Sequence, residues 1–145
     1  MQNKWQDFGL SDHPMYNLPL MQKLPRFSAY YLKIVGISIL VSWIVILISG
    51  VEEKGKLELG FHLFSECILA FLCFLAGMLQ GRSPHKFHGL ALAAHGMLIY
   101  SVLNAAGYYA QAGHLAAVGI FIVMFFISVV LILVGATRTS RLQKE

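Results

Sequence analysis

The chain has 145 residues, of which 57% are hydrophobic and 12% charged, a balance outside the range of a soluble globular domain. Its net charge of +4 comes from residues scattered around the ends of apolar stretches; they form no basic patch, so nucleic acid is not an expected partner. Lipid is the expected surrounding for most of this sequence, and the expected fold class is an all-α integral membrane protein, an up-down antiparallel bundle of four transmembrane helices.

Residues 1–29 read as an amphiphilic N-terminal arm, polar and interrupted by Pro14, Pro19 and Pro25, with Trp5, Phe8, Leu10, Met15, Tyr16 and Leu20 as its apolar members. Such an arm suits a membrane surface or a partner protein. No cleavable signal peptide is visible, so the first apolar span is expected to act as its own insertion signal. A transmembrane domain follows over residues 30–136, with apolar spans at 30–50, 59–79, 87–110 and 115–136. Each is close to the ~20 residues that cross the hydrocarbon layer. Each is expected to be helical, because only a helix pairs every peptide group of a segment within that segment, and an unpaired one in hydrocarbon costs several kcal/mol. Residues 137–145 form a basic tail.

Charge sets the expected orientation. Lys23, Arg26 and Lys33 flank the start of the first span, Arg82 and Lys86 lie between the second and third, and Arg138, Arg141 and Lys144 follow the fourth. By the positive-inside rule these regions share the cytoplasmic side of a cell membrane, with both termini there. The opposite side receives residues 51–58, where Glu52, Glu53 and Glu58 outnumber Lys54 and Lys56, and the short turn at 111–113. Short connections make consecutive helices antiparallel neighbours. Cys67 and Cys73, six residues apart on one helix, face different directions and suit no disulfide.

Inward faces are expected to carry small and polar residues, since lipid gives apolar helices no reason to associate and close approach depends on Gly, Ala, Ser and Cys. That criterion selects Ser38, Ser42 and Ser49 on the first span, and His62, Glu66, Ala70, Cys73 and Gly77 on the second. On the third it selects Gly89, Ala93, Tyr100, Asn104 and Gln111, and on the fourth His114, Phe121, Ser128 and Gly135. Counting depth at 1.5 Å per residue, Glu66 and Asn104 both lie roughly 10 Å below the outer face, and Ser42 reaches the same level. His62, Tyr108 and His114 are level with one another nearer the surface. The expected site is therefore an outer-half polar pocket of Glu66, His62, Asn104, Tyr108, His114 and Ser42. Glu66 leads it, because an ionisable residue at that depth usually faces the bundle interior and serves function.

Three chemistries fit such a cluster. His62 and Glu66 share a helix face and, with His114, resemble a two-imidazole, one-carboxylate metal set, although a single His-x-x-x-Glu spacing does not establish one and no metal is assigned. A quinone, a lipid or another apolar molecule can occupy a greasy cavity with a few polar contacts. Proton transfer through Glu66, tuned by His62, is the third. His88 and His95 share a face about 180° away from Asn104 on the same helix, so His95 is expected to point at another helix, such as one of a second subunit.

The stretch over residues 61–81, FHLFSECILAFLCFLAGMLQG, followed by a basic turn and a small-residue helix with Tyr100 and Asn104, resembles the small four-helix DoxX-like membrane proteins. The resemblance rests on a Glu early in a helix, an apolar run and a Gly near its cytoplasmic end, matched here by Glu66 and Gly77, and it covers the second and third spans. It implies an up-down bundle in a prokaryotic cytoplasmic membrane and, for the name-giving members, association with quinone-linked redox complexes. The HLFSE segment is also similar to sterol-isomerase-type proteins, which place a His and a Glu one turn apart in a membrane cavity.

The expected function is binding of an apolar ligand, a quinone or a lipid, in the outer-half pocket, as in an accessory subunit of a redox complex; quinone is the cofactor this implies. The alternatives are a ligand-free scaffold or assembly subunit, joined to copies of itself or to a larger complex, and a membrane enzyme, an isomerase or a metal-dependent one, using Glu66 and His62. The topology is testable directly. Reporter fusions after Glu145 and within residues 51–58 are expected to report opposite sides of the membrane, and finding both on one side overturns the four-span reading.

Overall fold

A computed structural model of the chain describes residues 19–49, 56–84 and 86–142. Among them lie four helices and no strand: α1 (Pro19–Ser49), α2 (Lys56–Arg82), α3 (His88–Gln111) and α4 (Leu115–Leu142). All four are long and apolar enough to cross a membrane. The first part of the expected arm, residues 1–18, and most of the outer connection lie outside the described residues, as does the end of the basic tail.

The largest departure from expectation is the start of α1. The helix begins at Pro19 rather than near Tyr30 and runs through Pro25. Proline at the first helical position loses nothing, since the N–H it lacks has no partner there. Pro25, in the second turn, forfeits only its bond to the Met21 carbonyl. Packing offsets that loss, because Ser28 and Ala29, just beyond Pro25, are buried against α2.

The α1–α2 contact is backbone against backbone. A Cβ added at Gly36 falls 2.6 Å from the Ala70 carbonyl oxygen, and one added at Gly77 falls 2.6 Å from that of Ala29. As numbers rise along α1 they fall along α2, so the two helices run antiparallel. Joining α3 to α4 is a three-residue turn with Gly113 at φ +76°. Its N–H donates to the Ala110 carbonyl (3.1 Å) and the His114 N–H to that of Tyr109 (2.9 Å), the pairing of a Schellman cap, which needs the left-handed conformation that glycine adopts without penalty. α2 and α3 link these two hairpins, and α1 scarcely reaches α4.

The core occupies one half of the bundle. Leu32 and Val35 of α1, Leu69, Cys73 and Ala76 of α2, and Ala91, Ala94, Leu98 and Val102 of α3 form its apolar cluster. No described residue of α1 beyond Gly36, of α2 before Leu69, of α3 beyond Val102 or of α4 before Ser128 is buried. The packed half is thus the end that carries Lys23, Arg26, Arg82 and Lys86, called the basic end below. Cys67 and Cys73 are both free thiols, the first exposed and the second buried.

Two of the four expected inward faces hold. Ala70, Cys73 and Gly77 on α2 and Ser128 and Gly135 on α4 are buried. The other two need correction. Ser38 and Ser42 are exposed, and α1 instead buries Ser28, Ala29, Leu32, Val35 and Gly36. On α3 the stripe of Gly89, Ala93, Tyr100, Asn104 and Gln111 is exposed, while Ala91, Ala94, His95, Leu98 and Val102 turn inward. Both faces of α3 carry small residues, and the one that packs is the one whose polar member, His95, finds a hydrogen-bonding partner inside.

The glycine contacts yield a stability test. Gly77→Ala is expected to force α1 and α2 apart and to destabilise the protein by ~1–3 kcal/mol, the usual cost of overpacking. Gly96→Ala, with nothing within 4 Å of the added Cβ, is expected to stay within about 1 kcal/mol of the parent. Unfolding of the purified protein in mixed detergent measures both. Equal effects at the two positions would show that the α1–α2 approach is not tight.

Candidate functional site

The six residues expected to form one outer pocket are found at separate contacts. Glu66 is half-buried and its carboxyl accepts a hydrogen bond from Ser101 Oγ at 2.7 Å. Asn104, the expected partner, lies one turn farther along α3 and is exposed. His62 is exposed, with its ring set edge-on to Trp43 at 5.4 Å. Ser42 is exposed. Tyr108 and His114 are exposed too, and each packs beside Tyr109 (5.4 and 6.1 Å between ring centres), which in turn meets Phe121 of α4. Among the described residues no three His, Cys, Asp or Glu side chains gather closely enough to hold a metal ion, so the set of His62, His114 and Glu66 is not assembled.

The buried polar residues lie instead at the basic end, and all four helices contribute. His95 of α3 is 1% exposed and points at another helix, as expected, and that helix is α1 of the same chain. Its Nε2 lies 2.9 Å from Ser28 Oγ on α1, and Ser28 Oγ donates to Gln80 Oε1 on α2 at 3.0 Å. Tyr31, one turn from Ser28, stacks on the His95 ring at 5.7 Å and 15°. The Tyr31 hydroxyl donates to the Met124 carbonyl of α4 (3.1 Å) and lies 3.3 Å from Ser128 Oγ. At the start of α3, His88 Nε2 is 3.0 Å from the Gly135 carbonyl. A carbonyl only accepts, so His88 carries a hydrogen on Nε2.

The same rule assigns His95. A serine hydroxyl has one hydrogen, and that of Ser28 is committed to Gln80. The imidazole is therefore the donor to Ser28, through Nε2, and a neutral ring then presents Nδ1 as a bare acceptor. Nδ1 is buried and has no hydrogen-bond partner among the described residues. Buried polar atoms are nearly always paired, and one that is not calls for an explanation.

A small cleft borders this group. It is lined by Leu24, Pro25 and Ser28 of α1, Gln80 of α2, His88, Ala91, Leu92 and His95 of α3, and Leu131, Val134 and Gly135 of α4. Its enclosed space is on the scale of one or two water molecules. α1 and α4 hardly touch, and residues of both line the cleft. Among the described residues no Asp, Glu, Lys or Arg lines it.

Reading the sequence missed this site for a specific reason. Starting α1 at Tyr30 removes Ser28 from the bundle and leaves His95 without a partner at its depth. The available signals were Ser128, on a correctly chosen inward stripe, and Gln80, three residues beyond Gly77 on the inward stripe of α2.

The chain belongs to a family described as a domain of unknown function (DUF8058), which matches residues 21–145. No curated protein and no solved structure matches it.

The Ser28–His95 bond is testable by a double-mutant cycle. Ser28→Ala strands both Gln80 Oε1 and His95 Nε2 and is expected to cost about 1 kcal/mol, falling toward the ~0.6 kcal/mol average of membrane hydrogen bonds where the groups re-pair. His95→Phe should cost less in the Ser28→Ala background than alone, by at least ~0.5 kcal/mol. Strict additivity would mean that the two side chains do not interact.

Proposed function

We propose that this protein is a four-span integral membrane protein, with both termini cytoplasmic, that binds a small amphiphile in the cleft at its basic end. The positive-inside rule makes that end cytoplasmic, so the ligand is drawn from the cytoplasmic leaflet and enters between α1 and α4. The observation that carries this reading is the convergence of four helices on a buried, uncharged polar cluster beside a small cleft lined by all four. Polar groups inside a membrane protein are costly, and where they line a cavity they usually serve a ligand. Lipids and quinones are the ligand classes; the quinone enters through the DoxX-like resemblance of residues 61–81. The outer-half site is not proposed again as an enclosed pocket, given the exposure of Ser42, His62, Asn104, Tyr108 and His114.

A second reading, a scaffold or assembly subunit, is favoured by one observation. The described residues of α3 beyond Val102 and of α2 before Leu69 are not buried, and the half-buried Glu66–Ser101 pair lies at the edge of that exposed half, a polar contact that a neighbouring subunit would shield.

Native mass spectrometry of the protein released from lipid nanodiscs separates the two. The wild type is expected to retain a lipid or quinone. Val134→Trp, which enlarges a half-buried residue of the cleft's lining and so fills the cleft, is expected to lose it, and Glu66→Gln to keep it. Retention by Val134→Trp with loss in Glu66→Gln would return the site to the outer half. No ligand in any sample, with a defined oligomer or complex, favours the scaffold.

A further inference from the structure

Among the described Lys and Arg residues, Lys33 lies farthest from a span end, ten residues into the span that begins at Lys23 and so about 15 Å along it. Its stem lies in the α1–α2 seam. A Cβ added at Gly77 falls 2.8 Å from Lys33 Cγ, so the glycine leaves room that the stem occupies. Side chains on a helix lean toward its N-terminus, and the Lys33 ammonium follows that lean: it sits over the ring of Tyr30, 4.2 Å from its centre and three residues back toward the basic end. Long basic side chains take this course in a bilayer, with the stem on apolar surface and the charge reaching for the headgroups. The described residues supply no anion there. Their acids are Glu58 and Glu66, both toward the other end of α2. Glu66, the nearer, is eleven residues from Gly77, roughly 16 Å along the helix, and it accepts its hydrogen bond from Ser101.

We propose that the α1–α2 seam at Lys33 and Tyr30 binds the headgroup of an anionic phospholipid, whose phosphate pairs with the Lys33 ammonium. Arg26, exposed and on the same helical face at the i, i+4, i+7 positions of Arg26, Tyr30 and Lys33, adds a second positive charge on the headgroup side. A net negative headgroup suits this surface better than a zwitterionic one. A choline brings its own cation, which competes for the phosphate, and no described acid at this end receives it. The Lys33 stem is already packed against α2 and its ammonium already rests on an aromatic face, so little side-chain freedom is left to lose on binding. The surface shares no residue with the cleft. It rests on the placement of the four helices in a membrane and goes beyond the cleft reading.

The test uses the full chain in nanodiscs of equal parts phosphatidylglycerol and phosphatidylcholine with the same acyl chains, and native mass spectrometry reads which lipid stays on the released protein. The wild type is expected to retain phosphatidylglycerol preferentially. In Lys33→Gln the ratio of the two lipids should fall about fivefold, the worth of one basic side chain at an anionic headgroup. Gln keeps the Cγ that rests on Gly77; Lys33→Met, which keeps a longer unbranched stem, is the second variant should Lys33→Gln not fold. Lys86→Gln removes the same charge from an exposed position in the turn before α3 and is expected to change the ratio by less than about twofold. Val134→Trp, aimed at the cleft, should leave the ratio unchanged, so the two sites succeed or fail separately. A ratio that holds at the wild-type value without Lys33 overturns the proposal. An equal fall in Lys33→Gln and Lys86→Gln also overturns it, because the preference then reports the charge of the whole basic end. Phosphate adducts on wild-type protein from phosphatidylcholine-only discs in inorganic phosphate, absent from Lys33→Gln, would make this a site for the free anion and overturn the lipid assignment.

Discussion

In lipid, two apolar helix surfaces gain nothing by leaving the solvent for each other, so a bundle there is held where backbones can come close enough for dispersion and polar contacts to exceed what the lipid offers. In this protein that condition is met first between α1 and α2, where Gly36 faces the Ala70 carbonyl and Gly77 that of Ala29. Much else depends on this approach. Ser28 adjoins Ala29 and Gln80 is one turn beyond Gly77, so the contact that brings the two backbones together also sets a hydroxyl beside an amide.

The polar cluster then connects this pair to the rest. His95 ties α3 to α1 through Ser28, and the Tyr31 hydroxyl ties α1 to α4 through the Met124 carbonyl. α1 touches α4 little along its length, so this bond joins two helices that otherwise scarcely meet. The ring stack from Phe27 through Tyr31 to His95 supports it from the side. Each group has a defined donor or acceptor role, and the uncompensated atom is on the cleft-lining histidine.

What the sequence disclosed and what it hid divide along physical lines. Helix number, approximate ends of α2, α3 and α4, and the inward faces of α2 and α4 follow from hydrocarbon thickness and from the spacing of small residues. The start of α1 does not, because reading proline as a break overlooks that its penalty is small in a first turn and can be offset by packing a few residues later. That one boundary has a consequence: with Ser28 outside the bundle, His95 has no partner on α1, although its face of α3 is still expected to meet another helix. Glu66 does contact α3, but through Ser101. Depth counting placed it one turn from its actual partner, within the error of counting from helix ends that themselves shift by a turn.

The turn at Gly113 has a consequence for how the molecule comes together. A Schellman cap closed by glycine within three residues makes α3 and α4 a hairpin that turns back at once, and the glycine contacts of α1 and α2 make a second hairpin with its own internal fit. Each can enter the bilayer as a unit. On entry, however, one hairpin carries Ser28 and Gln80 and the other carries His95, and the imidazole reaches its partner only when the two meet. Until then a ring with a polar edge faces hydrocarbon. The Ser28–His95 contact therefore forms only when the two hairpins dock, and it distinguishes a finished bundle from two separate halves.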